Sequence, residues 1–264
     1  MVITGKTALF GLIGHPIEHV GSPALINAYM AERGRDGVLI PIHVTPSDLE
    51  KVVDGLRCLR NLRGFLVTIP HKQTIVPLLD RLTEAAELSG AVNVVRRDVD
   101  GNLVGDQLDG EGFATALRKS GISLTGARIY MAGAGGVAAG IGFALARQGA
   151  RAITIFNRTH SRADELTQRL RGAFPQCDVR TGDSNPRGHD IVVNATSLGL
   201  TVNDPYPMNV NGLNAAMTVA DVIINPRETA FLRAAAVRGC RIQYGFRMVE
   251  EQLPLMMQAM DPVS

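Results

Sequence analysis

Two segments carry residue types suited to moving a proton. In Thr68-Ile69-Pro70-His71-Lys72 a lysine falls just after a proline that opens a short helical pattern. The helix dipole disfavours a cation at that end unless a neighbouring carboxylate offsets it. Asp109 heads a second helical pattern that runs to Ser120-Gly121. An ammonium and a carboxylate are both groups that can take or return a proton. Each residue also has a plainer reading: Lys72 as a solvated surface lysine, Asp109 as an N-cap. Taken singly, the plainer readings are favoured, and spacing does not bring the two together.

The third segment is Gly133-Ala134-Gly135-Gly136-Val137-Ala138, between an apolar strand pattern and a helical one. Glycines there let the backbone approach a pyrophosphate, whose charge suits a helix N-terminus. A bare GxGxxA is a weak motif; here its flanking strand and helix, and a second strand at Ala152–Phe156, give it the required context. The competing reading is a tight packing turn without a ligand. An NAD site would place Asp or Glu after the second strand. This chain has Asn157-Arg158-Thr159-His160-Ser161-Arg162. Arg158 and Arg162, four apart at a helix start, suit a 2′-phosphate and point to NADP. The alternative is a solvated basic helix start, which the dipole disfavours.

The elements that must position these groups alternate. Strands are expected at Thr7–Ile13, Val38–His43 and Gly64–Ile69. Ser22 is expected to cap a helix with Pro23 at its first position, and Ser47 or Asp48 to cap a second. A short helix follows Pro70 and another lies near Thr83–Leu88. Ala91–Arg96 and Asn102–Gly105 flank Asp100-Gly101, a hairpin signal. Beyond Ala127, strands at Arg128–Ala132, Ala152–Phe156, Asp190–Asn194 and Thr218–Ile224 alternate with helices to Arg147, at Ser161–Leu170 and at Thr229–Val237. A last helix starts near Met248. The pattern predicts an α/β protein with a parallel sheet wrapped by helices, and a domain boundary near Asp109 without a flexible linker.

The 264 residues are 45% hydrophobic and 20% charged, with net charge +2, so no strong field favours nucleic acid or membrane. Cys58, Cys177 and Cys240 form no CxxC pair, which argues against a disulfide scaffold or cysteine-based zinc site and for cytoplasm. The most apolar stretch, Ala132 to Ala146, is broken by five glycines, and no run is long and clean enough for a membrane span. Ala8–Ile13 reads as a strand rather than a signal peptide. His15 and His19 lie four apart, but Pro16 argues against a helical metal pair, and no metal site is expected.

The chain resembles the shikimate dehydrogenase family along nearly its whole length. The matching segments are Gly14-His15-Pro16-Ile17 with Ser22-Pro23, Val67-Thr68-Ile69-Pro70-His71-Lys72, and Gly90-Ala91-Val92-Asn93. Gly105-Asp106-Gln107-Leu108-Asp109-Gly110, the glycine loop, Asn157-Arg158-Thr159, Asn194-Ala195-Thr196-Ser197, and Gly245 with Met248 and Gln252 complete the set. The resemblance implies a substrate domain (1–109, completed by a C-terminal helix, 246–264), a Rossmann NADP-binding domain (110–245), and an active site in the cleft. It implies Lys72 and Asp109 as the catalytic pair, with Asn93 holding a neighbouring substrate hydroxyl. Ser22, Thr68 and Gln252 would be further substrate contacts. Thr196, Val222, Gly245 and Met248 would join Gly133, Ala134, Gly135, Gly136, Val137, Asn157, Arg158, Thr159 and Arg162 around the cofactor. The implied reaction interconverts shikimate, or a related cyclic hydroxy acid, with its ketone. The implied assembly is a monomer or homodimer.

Four positions depart from the family pattern. Val20, Leu66, Leu108 and Ile224 stand where the family usually has Ser, Asn, Thr and Tyr. One lost hydrogen bond to a charged group costs about 1.5–3 kcal/mol, roughly ten- to a hundredfold in affinity. This raises two alternatives: a dehydrogenase for a less polar ring alcohol with little shikimate activity, and a non-catalytic NADP-binding regulator.

Overall fold

A computed structural model describes residues 2–18 and 20–261. The chain forms two compact units, Met1–Leu108 with Leu253–Ser264, and Asp109–Gln252.

The first unit contains β1 (Ala8–Gly14), α1 (Ser22–Glu32), β2 (Gly37–His43), α2 (Leu49–Arg57) and β3 (Leu62–Val67). Then come α3 (His71–Thr74), β4 (Arg81–Leu82), α4 (Glu84–Ser89), β5 (Val94–Arg97) and β6 (Leu103–Asp106). The strands form one mixed sheet in the order β2-β1-β3-β5-β6-β4. β1 pairs in parallel with β2 and β3, whereas β3–β5 and β5–β6 are antiparallel.

Strand side chains alternate between faces, and both faces are buried. Phe10, Leu12, Leu66 and Val94 join one apolar cluster, with Ile26 and Met30 of α1 and Leu253, Met256, Met257 and Met260 near the C-terminus. Ile13, Phe65, Val67 and Val95 join another, with Leu49, Val53 and Leu56 of α2. Gly64 is required where the last helix crosses β3. A Cβ there would lie 2.4 Å from the Val95 carbonyl oxygen and 2.9 Å from Met260 Cγ.

Helix starts differ from expectation in detail. Gly21, not Ser22, is the N-cap of α1, and no side chain caps it. Pro23 carries a φ suited to the first turn and no N–H to satisfy, so the helix begins at Ser22 without needing the hydroxyl. A short 3₁₀ turn, Pro46–Asp48, precedes α2, and the Asp48 side chain does not cap that helix. Thr83 does cap α4, its hydroxyl accepting from the Ala86 N–H at 3.3 Å.

The second unit contains α5 (Asp109–Lys119), β7 (Arg128–Ala132), α6 (Gly136–Arg147), β8 (Ala152–Phe156), α7 (His160–Ala173) and β9 (Asp178–Thr181). β10 (Ile191–Asn194), β11 (Thr218–Asp221), α8 (Ala230–Val237) and β12 (Arg241–Gln243) follow. Every pairing is parallel, in the order β12-β11-β10-β7-β8-β9. The direction of winding reverses at β7, so the crevice beyond its C-terminal end is the topological switch point. Three strands, β4, β9 and β12, were not expected. Asp109 is the first helical residue of α5 rather than a cap ahead of it.

The last helix, α9 (Phe246–Met260), starts two residues earlier than expected and contains Pro254. It passes from the second unit to the first between Gln252 and Leu253.

Candidate active site

In the first unit the candidate residues gather at the C-terminal ends of β1 and β3. Thr68 follows β3, its N–H donating to the Ile13 carbonyl at 2.9 Å and its own carbonyl accepting from the His71 N–H at 2.9 Å. These bonds set the turn into α3, which places Lys72 half-buried on its second residue. The Lys72 carbonyl accepts from the Val92 N–H at 2.7 Å, tying α3 to the segment before β5. Asn93 is 2% exposed and its Oδ1 accepts from the Leu108 N–H at 2.8 Å, which fixes the amide plane. The hydroxyls of Ser22 and Thr68 are half-buried and make no hydrogen bond among the described residues. Gly14 is needed beside them, because a Cβ there would meet Thr68 Cγ2 at 2.5 Å.

Histidines contribute more than the sequence suggested. His71 is fully buried and bonds the Val44 carbonyl through Nε2 at 2.7 Å, while its Nδ1 has no partner. His15 pairs with His43, Nδ1 to Nε2, at 2.8 Å. His19 lies outside the described residues. No group of three or more metal-ligating side chains occurs among the described residues.

In the second unit Asp109 is 3% exposed, and its Oδ1 accepts from Gln252 Nε2 at 3.0 Å. Gly112 permits that bond. A Cβ there would lie 2.8 Å from Gln252 Cβ and 2.9 Å from the Met248 carbonyl oxygen, so α5 and α9 approach closely only over a glycine. Gly110 plays the same part toward α6, where a Cβ would collide with the Gly140 carbonyl at 2.0 Å.

The glycine loop has the shape a dinucleotide needs. Gly133 has φ +117, which L side chains rarely adopt, and a Cβ there would also meet the Ala195 carbonyl oxygen at 2.6 Å. A Cβ on exposed Gly135 would enter open space, so its backbone is approachable from outside. α6 starts with no side-chain cap and no acidic residue in its first turn. α7 starts likewise, after Thr159, whose carbonyl accepts from Asn157 Nδ2 at 2.9 Å. Arg158 and Arg162 are exposed there, with no ion pair or hydrogen bond among the described residues. Helix N-termini without side-chain caps or first-turn carboxylates, and two guanidiniums without an ion pair among the described residues, fit an anionic dinucleotide with an additional phosphate.

Sequence reasoning did not single out the network beneath Thr196 and Val222. Asp221, at the end of β11, is fully buried. Its oxygens accept from Thr229 Oγ1 at 2.7 Å, Asn194 Nδ2 at 3.0 Å and the Ile223 N–H at 3.0 Å. Asn194 Oδ1 in turn accepts from the Thr196 hydroxyl at 2.7 Å and its N–H at 3.1 Å. Burial pushes the Asp221 carboxyl above its ordinary pKa, and the surrounding donors oppose that shift. A carboxylate closing the apolar run Thr218-Val219-Ala220-Asp221 was the available signal. Gly245 is buried where a Cβ would lie 2.3 Å from the Ile223 carbonyl oxygen, and Met248 is 6% exposed.

Three of the four aliphatic departures share one environment. Leu66, 3% exposed, belongs to the first unit's cluster with Met256 and Met257, and Val20 and Leu108 pack against that cluster. Ile224, in the second unit, is 37% exposed.

Residues 12–95 match the family model described as the shikimate dehydrogenase substrate binding domain, and residues 114–229 that of shikimate / quinate 5-dehydrogenase. A shikimate dehydrogenase (NADP(+)) of Rubrobacter xylanophilus is 44% identical over 241 residues, covering 90% of this chain and 84% of that protein. A shikimate 5-dehydrogenase from Listeria monocytogenes, solved with shikimate and NAD, is 33% identical with a TM-score of 0.88, over 98% of this chain and 93% of the other. A 5-ketofructose reductase of Gluconobacter sp. strain CHM43, solved without ligand, is also 33% identical, with a TM-score of 0.85 over 97% and 93% of the two chains. No helix among the described residues is long and apolar enough to cross a membrane.

Proposed function

The chain belongs to the shikimate dehydrogenase family, and from that premise we propose the division of labour among its residues. The enzyme is an NADP-dependent oxidoreductase that interconverts shikimate and 3-dehydroshikimate. Residues 1–108 and 253–264 form the substrate unit, and residues 109–252 bind the cofactor and lend Asp109 and Gln252 to the substrate. The observation that carries this reading is the preorganised carboxylate: Asp109, buried at the first residue of α5, is oriented by Gln252 at 3.0 Å.

The residues act as follows. Lys72 and Asp109 handle the proton of the reacting hydroxyl, one as ammonium and one as carboxylate. Gln252 holds Asp109 in place and offers the substrate its remaining polar capacity. Asn93, pinned by Leu108, holds a neighbouring substrate hydroxyl, and Ser22 and Thr68 offer theirs. The cofactor, when bound, accepts or returns the hydride. Gly133, Ala134, Gly135, Gly136 and Val137 hold its pyrophosphate against the start of α6. Asn157, Arg158, Thr159 and Arg162 hold the 2′-phosphate. Thr196, Val222, Gly245 and Met248 border the nicotinamide. The absence of an acidic residue after β8 favours NADP over NAD. Three free cysteines, two of them buried, suit a reducing compartment such as the cytoplasm.

A second reading keeps the chemistry and changes the ring. The packing of Leu66, Val20 and Leu108 into one apolar cluster favours a substrate with fewer polar groups. One assay tests both. Cofactor turnover is followed with NADP and NAD against shikimate, quinate and less polar ring alcohols, and with NADPH and NADH against 5-ketofructose. Fast turnover of shikimate with NADP at low substrate concentration supports the first reading. Poor turnover of shikimate beside efficient turnover of a less polar ring supports the second.

A further inference from the structure

α3 has four residues, too few to hold a helical turn together in water. Its placement must come from bonds to its neighbours, and it carries Lys72. Its entry is tied to β1 and the residue after it. The Thr68 N–H donates to the Ile13 carbonyl, and the Ile69 carbonyl accepts from the His15 N–H, each at 2.9 Å. Lys72 itself is tied to the segment before β5, its carbonyl accepting from the Val92 N–H at 2.7 Å. A body held at two places still pivots about the line that joins them.

His71 supplies a third place. It is the one fully buried residue of α3, and its Nε2 stands 2.7 Å from the Val44 carbonyl oxygen. That oxygen can only accept, so Nε2 carries the proton and Nδ1 is bare. Val44 is itself well anchored. It is 2% exposed, its N–H donates to the Gly14 carbonyl at 3.1 Å, and His43 before it pairs with His15 at 2.8 Å. The bond from His71 therefore reaches a point already fixed to the end of β1. The bare Nδ1 is buried without a partner. A stranded acceptor is destabilising, and a phenyl ring would fill similar space without one. Packing alone does not explain the imidazole; its bond to Val44 does.

Successive helical residues point about 100° apart around the axis. With His71 turned into the interior, Lys72 stands half-buried beside it, its ammonium at the end of a flexible four-carbon stem. A small pivot of α3 is enlarged at that ammonium, and a misplacement of about 1 Å costs a catalytic group ~10²-fold in rate. We propose that His71, through its Nε2–H bond to Val44, is a positioning residue that sets the direction of Lys72. This rests on the role given to Lys72 in the preceding section.

Two substitutions separate the bond from the packing. His71→Phe keeps a ring and removes the donor, whereas His71→Gln keeps a donor at similar reach and removes the ring. His71→Phe should lower kcat ~10-fold or more while the KM for shikimate and the Kd for NADP stay within about twofold. His71→Gln should restore most of kcat. A side chain needed only for packing gives the opposite order, activity kept by phenylalanine and lost by glutamine. That order overturns the assignment, as does an equal kcat in the two variants. The unaltered enzyme gives a check that does not depend on either variant folding. A nitrogen–proton correlation spectrum of histidine-labelled protein should contain an imidazole whose Nε2–H exchanges slowly with water, and its absence overturns the bond. Lys72→Ala, measured alongside, isolates the premise. Full turnover in that variant removes Lys72 from the chemistry and the positioning role with it. Lost turnover there beside an unchanged kcat in His71→Phe overturns the positioning role alone.

Discussion

At the scale of residues, the two functional groups of the sequence were unequally legible. The glycine loop could be read because its chemistry is local: a strand, a turn free of side chains and a helix N-terminus are contiguous. Lys72 and Asp109 could not be paired from spacing, because each is explained singly by exposure or capping, and family resemblance alone joined them. Asp109 is in fact buried, bonded to Gln252 and inside its helix rather than ahead of it, which the capping reading does not account for. Lys72→Ala should therefore lower kcat by roughly 10²–10⁴-fold, the usual worth of a positioned acid or base. NADP binding, followed by fluorescence titration, should stay within about twofold. Unimpaired turnover in this variant would remove Lys72 from the chemistry. Arg158 and Arg162 make the complementary prediction. In the proposed role each donates charged hydrogen bonds to a phosphate that NAD lacks, so the double alanine variant should raise the KM for NADP about 10-fold or more and leave that for NAD nearly unchanged. An equal rise for both cofactors would move the arginines' role elsewhere.

At the scale of elements, hydrophobic pattern located the long strands and helices, and failed where elements are short or polar. β9, Asp178–Thr181, has one buried residue in four, and β4 is two residues long. Neither presents an alternating apolar run to be read. The connections at the C-terminal ends of the second sheet escaped for another reason: Asp221 joins β10, β11 and the start of α8 through partners at positions 194, 223 and 229, a pattern visible only in three dimensions. This network makes a signed prediction. The unfolded chain holds the Asp221 proton with the ordinary value of 3.8, and burial raises the value in the folded protein. The folded state therefore binds the proton more tightly, and the associated stability is complete below pH 3.8. It is lost as the pH climbs through the raised folded value. Asp221→Asn cannot ionise and escapes that loss. Its deficit in denaturant midpoint relative to the parent should narrow between pH 4 and pH 8. A deficit that widens over that range would mean that the donors around Asp221 outweigh its burial.

At the scale of the whole molecule, the chain is two compact units, each with its own core. The strand–helix alternation announced both, but only resemblance indicated that the C-terminal residues return to the first. The reason is physical: Leu253, Met256, Met257 and Met260 read as an ordinary amphipathic face, and nothing in that face names the sheet it covers. Because each unit has its own apolar core, a ligand that binds one native unit stabilises that unit by mass action. NADP at one hundred times its Kd adds about 2.7 kcal/mol. Its effect on amide exchange should concentrate in residues 133–147 and 157–162, with the sheet strands β7 and β8 behind them. Shikimate alone should instead slow exchange around residues 64–72 and 91–94. Mass spectrometry of exchanged peptides resolves the two patterns. Protection by NADP centred on residues 64–72 would reverse the assignment of ligands to units. Protection by shikimate centred on residues 64–72 and 91–94, with a smaller effect at Asp109 and Gln252, would support the proposed division, in which the substrate rests on the first unit and borrows its carboxylate from the second.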